Sequence, residues 1–153
     1  LATPGTVSRE YTHELITQFA PGKRVLLKGA TELVVEAEHK LAGLPVNMAL
    51  LREVLADWLE GEEHPDTLVL GCTHYPLLRP IIQNVMGKGV KLIDSGAECA
   101  RDISVLLNYF EINRSRTAEP LHHTFYTTAS PAAFREIAED WLAMDLTVEH
   151  VTL

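Results

Sequence analysis

The stretch DTLVLGCTHYPLL, residues 66–78, joins a strand pattern directly to a helix pattern. Residues 67–70 are short, apolar and β-branched, as expected of a buried strand. Pro76 stands where a helix running to Met86 would begin, and proline is favoured at the first helical position. Cys72 is therefore predicted to lie where a strand ends and a helix begins, which is where open α/β sheets bind ligands.

The turn around Cys72 allows two interpretations. Unpaired backbone N–H groups and the positive end of a helix favour anions there, and the imidazole of His74, two residues on, would favour the thiolate form of the cysteine. These features indicate a reactive thiolate beside an anion-binding pocket. The alternative is a small cysteine that only packs, because free cysteine is among the most buried residue types.

The remainder of the chain alternates between strand and helix patterns, and Leu1-Ala2 resembles the end of a strand. Further strands are predicted at 24–27, 90–93, 124–128 and 146–151, and helices at 6–19, 31–41, 48–59, 96–110 and 131–141. Thr6, Asn47 and Ser130 stand at the starts of three of these helices, where such residues are favoured as caps. The helix after Asn47 is predicted to carry one apolar face, formed by Met48, Leu51, Leu55, Trp58 and Leu59. This order predicts crossover connections and an α/β fold with a largely parallel sheet covered by helices. The polar segment 113–119 is predicted to be a loop or linker.

The composition narrows the class of protein. The chain has 153 residues, 46% of them hydrophobic, and a net charge of −8, which argues against a nucleic-acid partner. No apolar run approaches the ~18 residues of a membrane span, and no signal peptide is visible, so we expect reduced cysteines in a cytoplasm. Cys72 and His74 could supply two zinc ligands, but no second Cys/His pair has suitable spacing, so we expect no metal site. A strand end at Leu1 with no strand before it suggests a piece of a longer protein.

One carboxylate in the helix predicted at 31–41 lies on an unexpected face. Glu36 forms a polar stripe with Glu32 and Lys40 at a spacing of four residues, which is typical of a solvated surface. Glu38 instead lies four residues after Val34 and three before Leu41, on the apolar side. Glu38 either reaches water from a border position or lines the pocket beneath the thiol. We expect Glu38 to face that pocket and Glu36 to face water.

The octapeptide GCTHYPLL, residues 71–78, resembles the signature of glutamate racemases, in the cofactor-independent aspartate/glutamate racemase superfamily. Related aspartate racemases usually carry Glu at the position of His74, so this residue favours glutamate as the substrate. Residues 2–6, 29–38 and 92–96 also resemble family segments. The segment 29–38 is similar to the one that carries the family's catalytic glutamate, which falls on Glu38.

The resemblance implies a parallel-sheet, three-layer αβα domain plus part of a second, similar domain. Residues 1–94 resemble the second racemase domain, with the Cys-Thr-His motif, and residues 95–153 resemble the C-terminal portion of the first domain. The family's first half, which carries an Asp-Ser-Gly-Gly turn and a second catalytic cysteine, has no counterpart here. Cys99 matches no catalytic position of the family.

The mechanism implied by the resemblance uses two acid/base groups, one on each face of the substrate Cα, without a cofactor or metal. Cys72 would serve one face, His74 would help its proton to move, and Glu38 would assist the substrate ammonium or the thiol. Substrate contacts would come from three threonines, Thr73, Thr3 and Thr6. Because the second cysteine is absent, we expect the isolated chain not to racemise glutamate.

The resemblance also implies a biological setting. The product, D-glutamate, is used in peptidoglycan synthesis and so in cell-wall biogenesis and cell shape. The expected partners are glutamate and a UDP-muramoyl-peptide activator; homo-oligomerisation is left open, and no membrane or nucleic acid is expected. Two other classes remain open: another superfamily enzyme, such as an aspartate or hydantoin racemase or a maleate isomerase, and a non-catalytic binding fragment in which Cys72 only packs.

Overall fold

The computed structural model describes residues 1–62, 64–115 and 122–153. Residues 116–119 of the predicted polar loop lie outside the described residues. The helices are α1 Pro4–Val7, α2 Glu10–Phe19, α3 Glu32–Leu41, α4 Met48–Leu59, α5 Arg79–Met86, α6 Ser95–Tyr109 and α7 Pro131–Leu142. The strands are β1 Thr67–Leu70, β2 Lys91–Asp94, β3 Thr124–Thr127 and β4 Thr147–His150, and a 3₁₀ turn, Tyr75–Leu78, precedes α5.

The chain forms two compact units, Leu1–Leu106 (unit 1) and Leu107–Leu153 (unit 2). Their division falls inside α6. The racemase-domain boundary that the resemblance implies after Asp94 stays a prediction.

Unit 1 contains parallel pairing, which confirms the α/β class. β1 and β2 run parallel with Leu68 opposite Leu92, and Ala2 forms parallel bridges to Gly29 on one side and to Gly71 on the other. The strand predicted at 24–27 is wrong. Residues 24–27 have no strand geometry, and the pairing nearest to them is an isolated bridge at Gly29.

The helix predicted at 6–19 is two helices in the structure. Thr3, not Thr6, precedes α1, and Pro4 takes the first helical position. Arg9 adopts an extended conformation with φ −75° and ψ 132°, which ends α1 and allows α2 to begin at Glu10. The chain therefore changes direction within what sequence spacing alone presents as one amphipathic helix.

α4 confirms its predicted start and its predicted apolar face. The Asn47 side chain accepts hydrogen bonds from the backbone N–H groups of Ala49 and Leu50, as an N-cap residue does. The helix buries Leu51, Leu55 and Trp58 in the core of unit 1. That core also receives residues from α3, β1, the 3₁₀ turn, α5 and β2, including Leu33, Leu70, Tyr75, Leu78, Ile82 and Leu92.

Unit 2 is a smaller α/β arrangement. β3 and β4 pair in parallel, with Phe125 opposite Val148. Ser130 caps α7, its hydroxyl accepting from the Ala133 N–H at 3.3 Å, as the sequence predicts. The buried hydrophobic core of this unit, among its described residues, consists of Ala138, Leu146 and Val148. Among the described helices of the whole chain, none is long and apolar enough to cross a membrane.

Candidate active site

The site begins with Gly71, which delivers the chain from β1 into the Cys-Thr-His turn. Its N–H donates to the Leu1 carbonyl at 2.8 Å. A Cβ at this position would stand 3.1 Å from that carbonyl oxygen and 3.2 Å from the Ala2 Cβ, so the close approach of the two segments favours glycine. Cys72 consequently follows the carboxyl end of β1, as predicted.

The helix predicted from Pro76 begins differently from the expectation. Pro76 lies in the 3₁₀ turn, and α-helical geometry starts only at Arg79. The N-terminus of α5 is therefore several residues beyond Cys72, and a four-residue 3₁₀ turn stands in the place where the sequence predicts a helix end beside the thiol. The polar group that approaches the thiol is instead a side chain, the imidazole of His74.

Cys72, Thr73 and His74 meet at one imidazole nitrogen. The Cys72 Sγ lies 3.9 Å from His74 Nδ1, and the Thr73 Oγ1 lies 3.4 Å from the same atom. The thiol is half-buried, and His74 is partly exposed. Whether the sulfur or His74 Nδ1 is the donor depends on the imidazole tautomer. This nitrogen can therefore either give a proton to the sulfur or take one from it.

The opposite side of the imidazole faces a carboxylate. His74 Nε2 lies 3.8 Å from Oε1 of Glu38, a residue of α3. The imidazole thus stands between a thiol and a carboxylate, an order that suits proton transfer to and from sulfur. The structure brings together Cys72, Thr73, His74 and Glu38, four of the six residues predicted for the site.

The predicted burial of the two α3 glutamates is reversed in the structure. The Glu38 side chain is 63% exposed, whereas that of Glu36 is 5% exposed. Glu36 Oε2 accepts a 2.6 Å hydrogen bond from the Asn47 N–H, and its Oε1 lies 3.6 Å from His39 Nδ1. Glu36 is buried because the start of α4 lies against its side of α3 and supplies a donor.

The two remaining predicted residues, Thr3 and Thr6, lie around α1. Their hydroxyl oxygens are 3.1 Å apart. Thr3 follows Ala2, which bridges Gly71, and Cys72 follows Gly71. Thr3 and Cys72 therefore leave neighbouring parallel segments at the same edge of the sheet. The Thr6 hydroxyl pairs with Thr3 rather than with the Cys-Thr-His turn.

Tyr75 is a residue of this site that the sequence reasoning does not single out. It is fully buried, and its hydroxyl reaches the carbonyl oxygens of Ala2 at 2.9 Å and Ala30 at 2.7 Å. Burial raises the pKa of the phenol, and the nearby charges of Cys72 and Glu32 raise this pKa further. The sequence feature that could have identified Tyr75 is its position directly after His74. Tyr75 fixes the turn to the first segment and to the start of α3.

The second cysteine stands apart from this arrangement. Cys99 is exposed on α6, and both thiols are free. Across residues 1–62, 64–115 and 122–153, no three His, Cys, Asp or Glu side chains are grouped closely enough to hold a metal ion.

Comparisons with known proteins identify relatives along the entire chain, although no protein-family model matches. A glutamate racemase of Streptococcus mutans is 54% identical over all 153 residues, which correspond to 57% of that protein. One of Streptococcus suis is 81% identical over 88 residues, which are 58% of this chain and 33% of that protein. A crystal structure of Escherichia coli glutamate racemase, in complex with L-glutamate and the activator UDP-MurNAc-Ala, matches 99% of the chain and 56% of its own length, with a TM-score of 0.79 and 36% identity.

The chain is shorter than these relatives. It spans little more than half the length of the Streptococcus mutans relative and of the solved Escherichia coli enzyme. That share is consistent with the predicted correspondence to one half of such enzymes. By sequence along its whole length and by fold, the chain is homologous to the glutamate racemases.

Proposed function

We propose that this chain is the portion of a cofactor-independent glutamate racemase that carries one of its two acid/base groups. The observation that carries the proposal is the order of three side chains: the Cys72 sulfur, the His74 imidazole and the Glu38 carboxylate, with separations of 3.9 Å and 3.8 Å. The homologous Escherichia coli enzyme, solved with L-glutamate, supports glutamate as the substrate.

The chemistry follows from the weak acidity of the substrate's α-proton. Inversion requires removal of that proton from one face of Cα and delivery of another proton to the opposite face, so one side chain cannot do both. Cys72 takes or gives the proton on one face, and His74 Nδ1 exchanges it with the sulfur. Glu38 supports the charge that appears on the imidazole. The group for the other face, a second cysteine in our proposal, is supplied from outside these residues.

The substrate is held by the surrounding hydroxyls. Thr73 lies beside Cys72 on the same turn, and its hydroxyl can donate to the α-carboxylate. Thr3 leaves the adjacent parallel segment at the same sheet edge. With Thr6, whose hydroxyl it contacts, it forms the side of the site that we assign to the γ-carboxylate.

The biological setting completes the proposal. D-glutamate made in the cytoplasm supplies peptidoglycan synthesis, and with it cell-wall biogenesis and cell shape. The activator in the Escherichia coli complex, UDP-MurNAc-Ala, supports a UDP-muramoyl-peptide as a regulatory ligand of the complete enzyme.

A complementation assay tests this function. The chain is mixed with the part of the Streptococcus mutans enzyme that it does not span, and the conversion of L- to D-glutamate is followed. We expect conversion only in the mixture, lost with Cys72→Ser and kept with Cys99→Ser, which is the matched control. Conversion that survives Cys72→Ser, or an inactive mixture of two folded parts, would contradict the proposal.

The same assay, together with alkylation of Cys72 with and without glutamate, separates the alternatives. Turnover of L-aspartate equal to that of L-glutamate would favour another racemase of the superfamily. Conversion by the chain alone would show that a second acid/base group lies within residues 1–153. A Cys72 thiol that is inert and unaffected by glutamate would favour the non-catalytic binding fragment.

A further inference from the structure

Both flanks of α3 make polar contacts with the turn that carries the proposed site. On one flank, Glu38 Oε1 lies 3.8 Å from His74 Nε2. On the other, Lys40 Nζ donates to the Leu77 carbonyl at 2.5 Å. His74 directly precedes the 3₁₀ turn and Leu77 lies near its end, so α3 contacts both ends of this short segment.

Helix geometry makes these two contacts dependent on each other. Residues two positions apart are separated by about 200° around the axis of an α-helix, so Glu38 and Lys40 leave α3 on opposite sides. The buried Leu33 and Ala37 lie between them, on the face that packs into the core. Rotation of α3 about its axis therefore changes the two contacts in opposite senses.

The Lys40 contact lies at the exposed surface and ties α3 to the end of the 3₁₀ turn. It joins a cationic donor to a backbone carbonyl, a charge-assisted hydrogen bond that is stronger than a neutral one. On the same side of the helix, Glu36 accepts from the Asn47 N–H, which holds this flank to the start of α4. Among the described residues, the Glu38 side chain makes the longer contact to His74, so its position depends on the flank that is fixed.

We infer that Lys40 is a positioning residue for the proposed site: its bond to the Leu77 carbonyl sets the rotation of α3 that places Glu38 beside His74. The inference rests on the proposed function, since the placement of Glu38 matters only if the imidazole moves protons. Sequence spacing places Lys40 in a solvated stripe, and the structure gives it this further contact.

The test is a double-mutant cycle read at the His74 ring in the full 153-residue chain. The ring signals are recorded by NMR with Glu38 and with Glu38→Gln, first in the native background and then in Lys40→Met and Lys40→Arg. Methionine keeps an unbranched aliphatic stem and removes the donor, whereas arginine keeps a cationic donor. Lys23→Met, which removes an exposed lysine just after α2, is the control for the lost charge.

We expect Glu38→Gln to shift the His74 signals in the native, Lys40→Arg and Lys23→Met backgrounds. In Lys40→Met the same change should produce about half the shift or less, because the carboxylate is no longer held at the ring. A shift as large in Lys40→Met as in the native chain overturns the inference, and so does the absence of any Glu38 effect on His74. The readout needs no turnover, so an inactive complementation mixture would count against the proposed function and not against this placement.

Discussion

Units 1 and 2 use the same parallel α/β pairing but differ in how much apolar surface they bury. Among the described residues, the core of unit 1 contains fifteen buried residues and that of unit 2 contains three. Tyr126 on β3 and Trp141 on α7 are 60% and 58% exposed, whereas Trp58 of unit 1 is 6% exposed. The Cys72, His74 and Glu38 constellation is thus built on the well-packed unit, where rigid elements can hold side chains in place.

The largest expected effect tests this difference in packing. Leu55→Ala in α4 should lower the free energy of unfolding of unit 1 by about 2–5 kcal/mol, because it leaves a cavity in a closely packed core. Val148→Ala in unit 2 should cost only about 1–2 kcal/mol, since it removes fewer buried carbon atoms from a smaller core.

Each unit carries its own tryptophan, so the two can be followed separately by fluorescence during denaturant unfolding. Trp141→Phe leaves Trp58 to report on unit 1, and Trp58→Phe leaves Trp141 to report on unit 2. We expect the Trp141 signal to change at the lower denaturant concentration. A single shared transition, or a larger cost for Val148→Ala, would show that the two units do not differ as their cores indicate.

A smaller effect is expected at Tyr75, which joins three segments of unit 1. Tyr75→Phe should cost about 1–3 kcal/mol, because it removes the hydroxyl that contacts the carbonyls of Ala2 and Ala30. Its pKa is raised on folding, so its contribution to stability is full below the ordinary tyrosine pKa of about 10 and is lost as the pH rises above that value. Denaturant titrations between neutral and strongly alkaline pH should show this loss in the native chain.

Tyr75→Phe supplies the control for the alkaline loss. The variant should be less stable at neutral pH but should show a weaker decline above a pH of about 10, where tyrosine ordinarily ionises. An equal decline in both proteins would assign the alkaline effect to other groups.

The smallest stability effects distinguish the two glutamates of α3. Glu36→Met removes the acceptor of the Asn47 N–H and should cost about 1–2 kcal/mol. Glu38→Gln changes an exposed side chain and should alter stability by less than about 0.5 kcal/mol. In the complemented enzyme, however, Glu38→Gln should lower turnover by roughly ten- to ten-thousandfold. The reverse pattern, with turnover sensitive to Glu36 and stability sensitive to Glu38, would show that the roles assigned to the two glutamates are wrong.

Local patterns predicted much of unit 1 correctly. The Asn47 cap, the apolar face of α4 and the strand leading to Gly71 depend on residues close in sequence, and the structure has all three. The break between α1 and α2 was not predicted, because Val7 in α1 keeps helical spacing with Tyr11, Leu15 and Phe19 in α2. Nothing in that spacing indicates the extended conformation at Arg9.

The glutamates of α3 show where sequence reasoning ends. On a helical wheel the apolar residues of α3 are flanked by Glu36 on one side and Glu38 on the other, and Glu38 is the nearer. Which carboxylate is buried depends on the neighbouring element. The N–H of Asn47 lies on the Glu36 side, and no pattern within residues 31–41 encodes that contact. That Cys72, Thr73 and His74 lie together could be predicted, because the three residues are adjacent in sequence.

The most direct test of the account compares the two thiols of the chain. Rates of iodoacetamide alkylation are measured for Cys72 in Cys99→Ser and for Cys99 in Cys72→Ser, with and without glutamate. Exposure alone favours Cys99, which is exposed, over the half-buried Cys72. We predict that Cys72 nevertheless reacts faster, because His74 Nδ1 can accept its proton, and that glutamate slows Cys72 alone. Equal or slower alkylation of Cys72, unchanged by glutamate, would contradict a reactive thiol in a glutamate site.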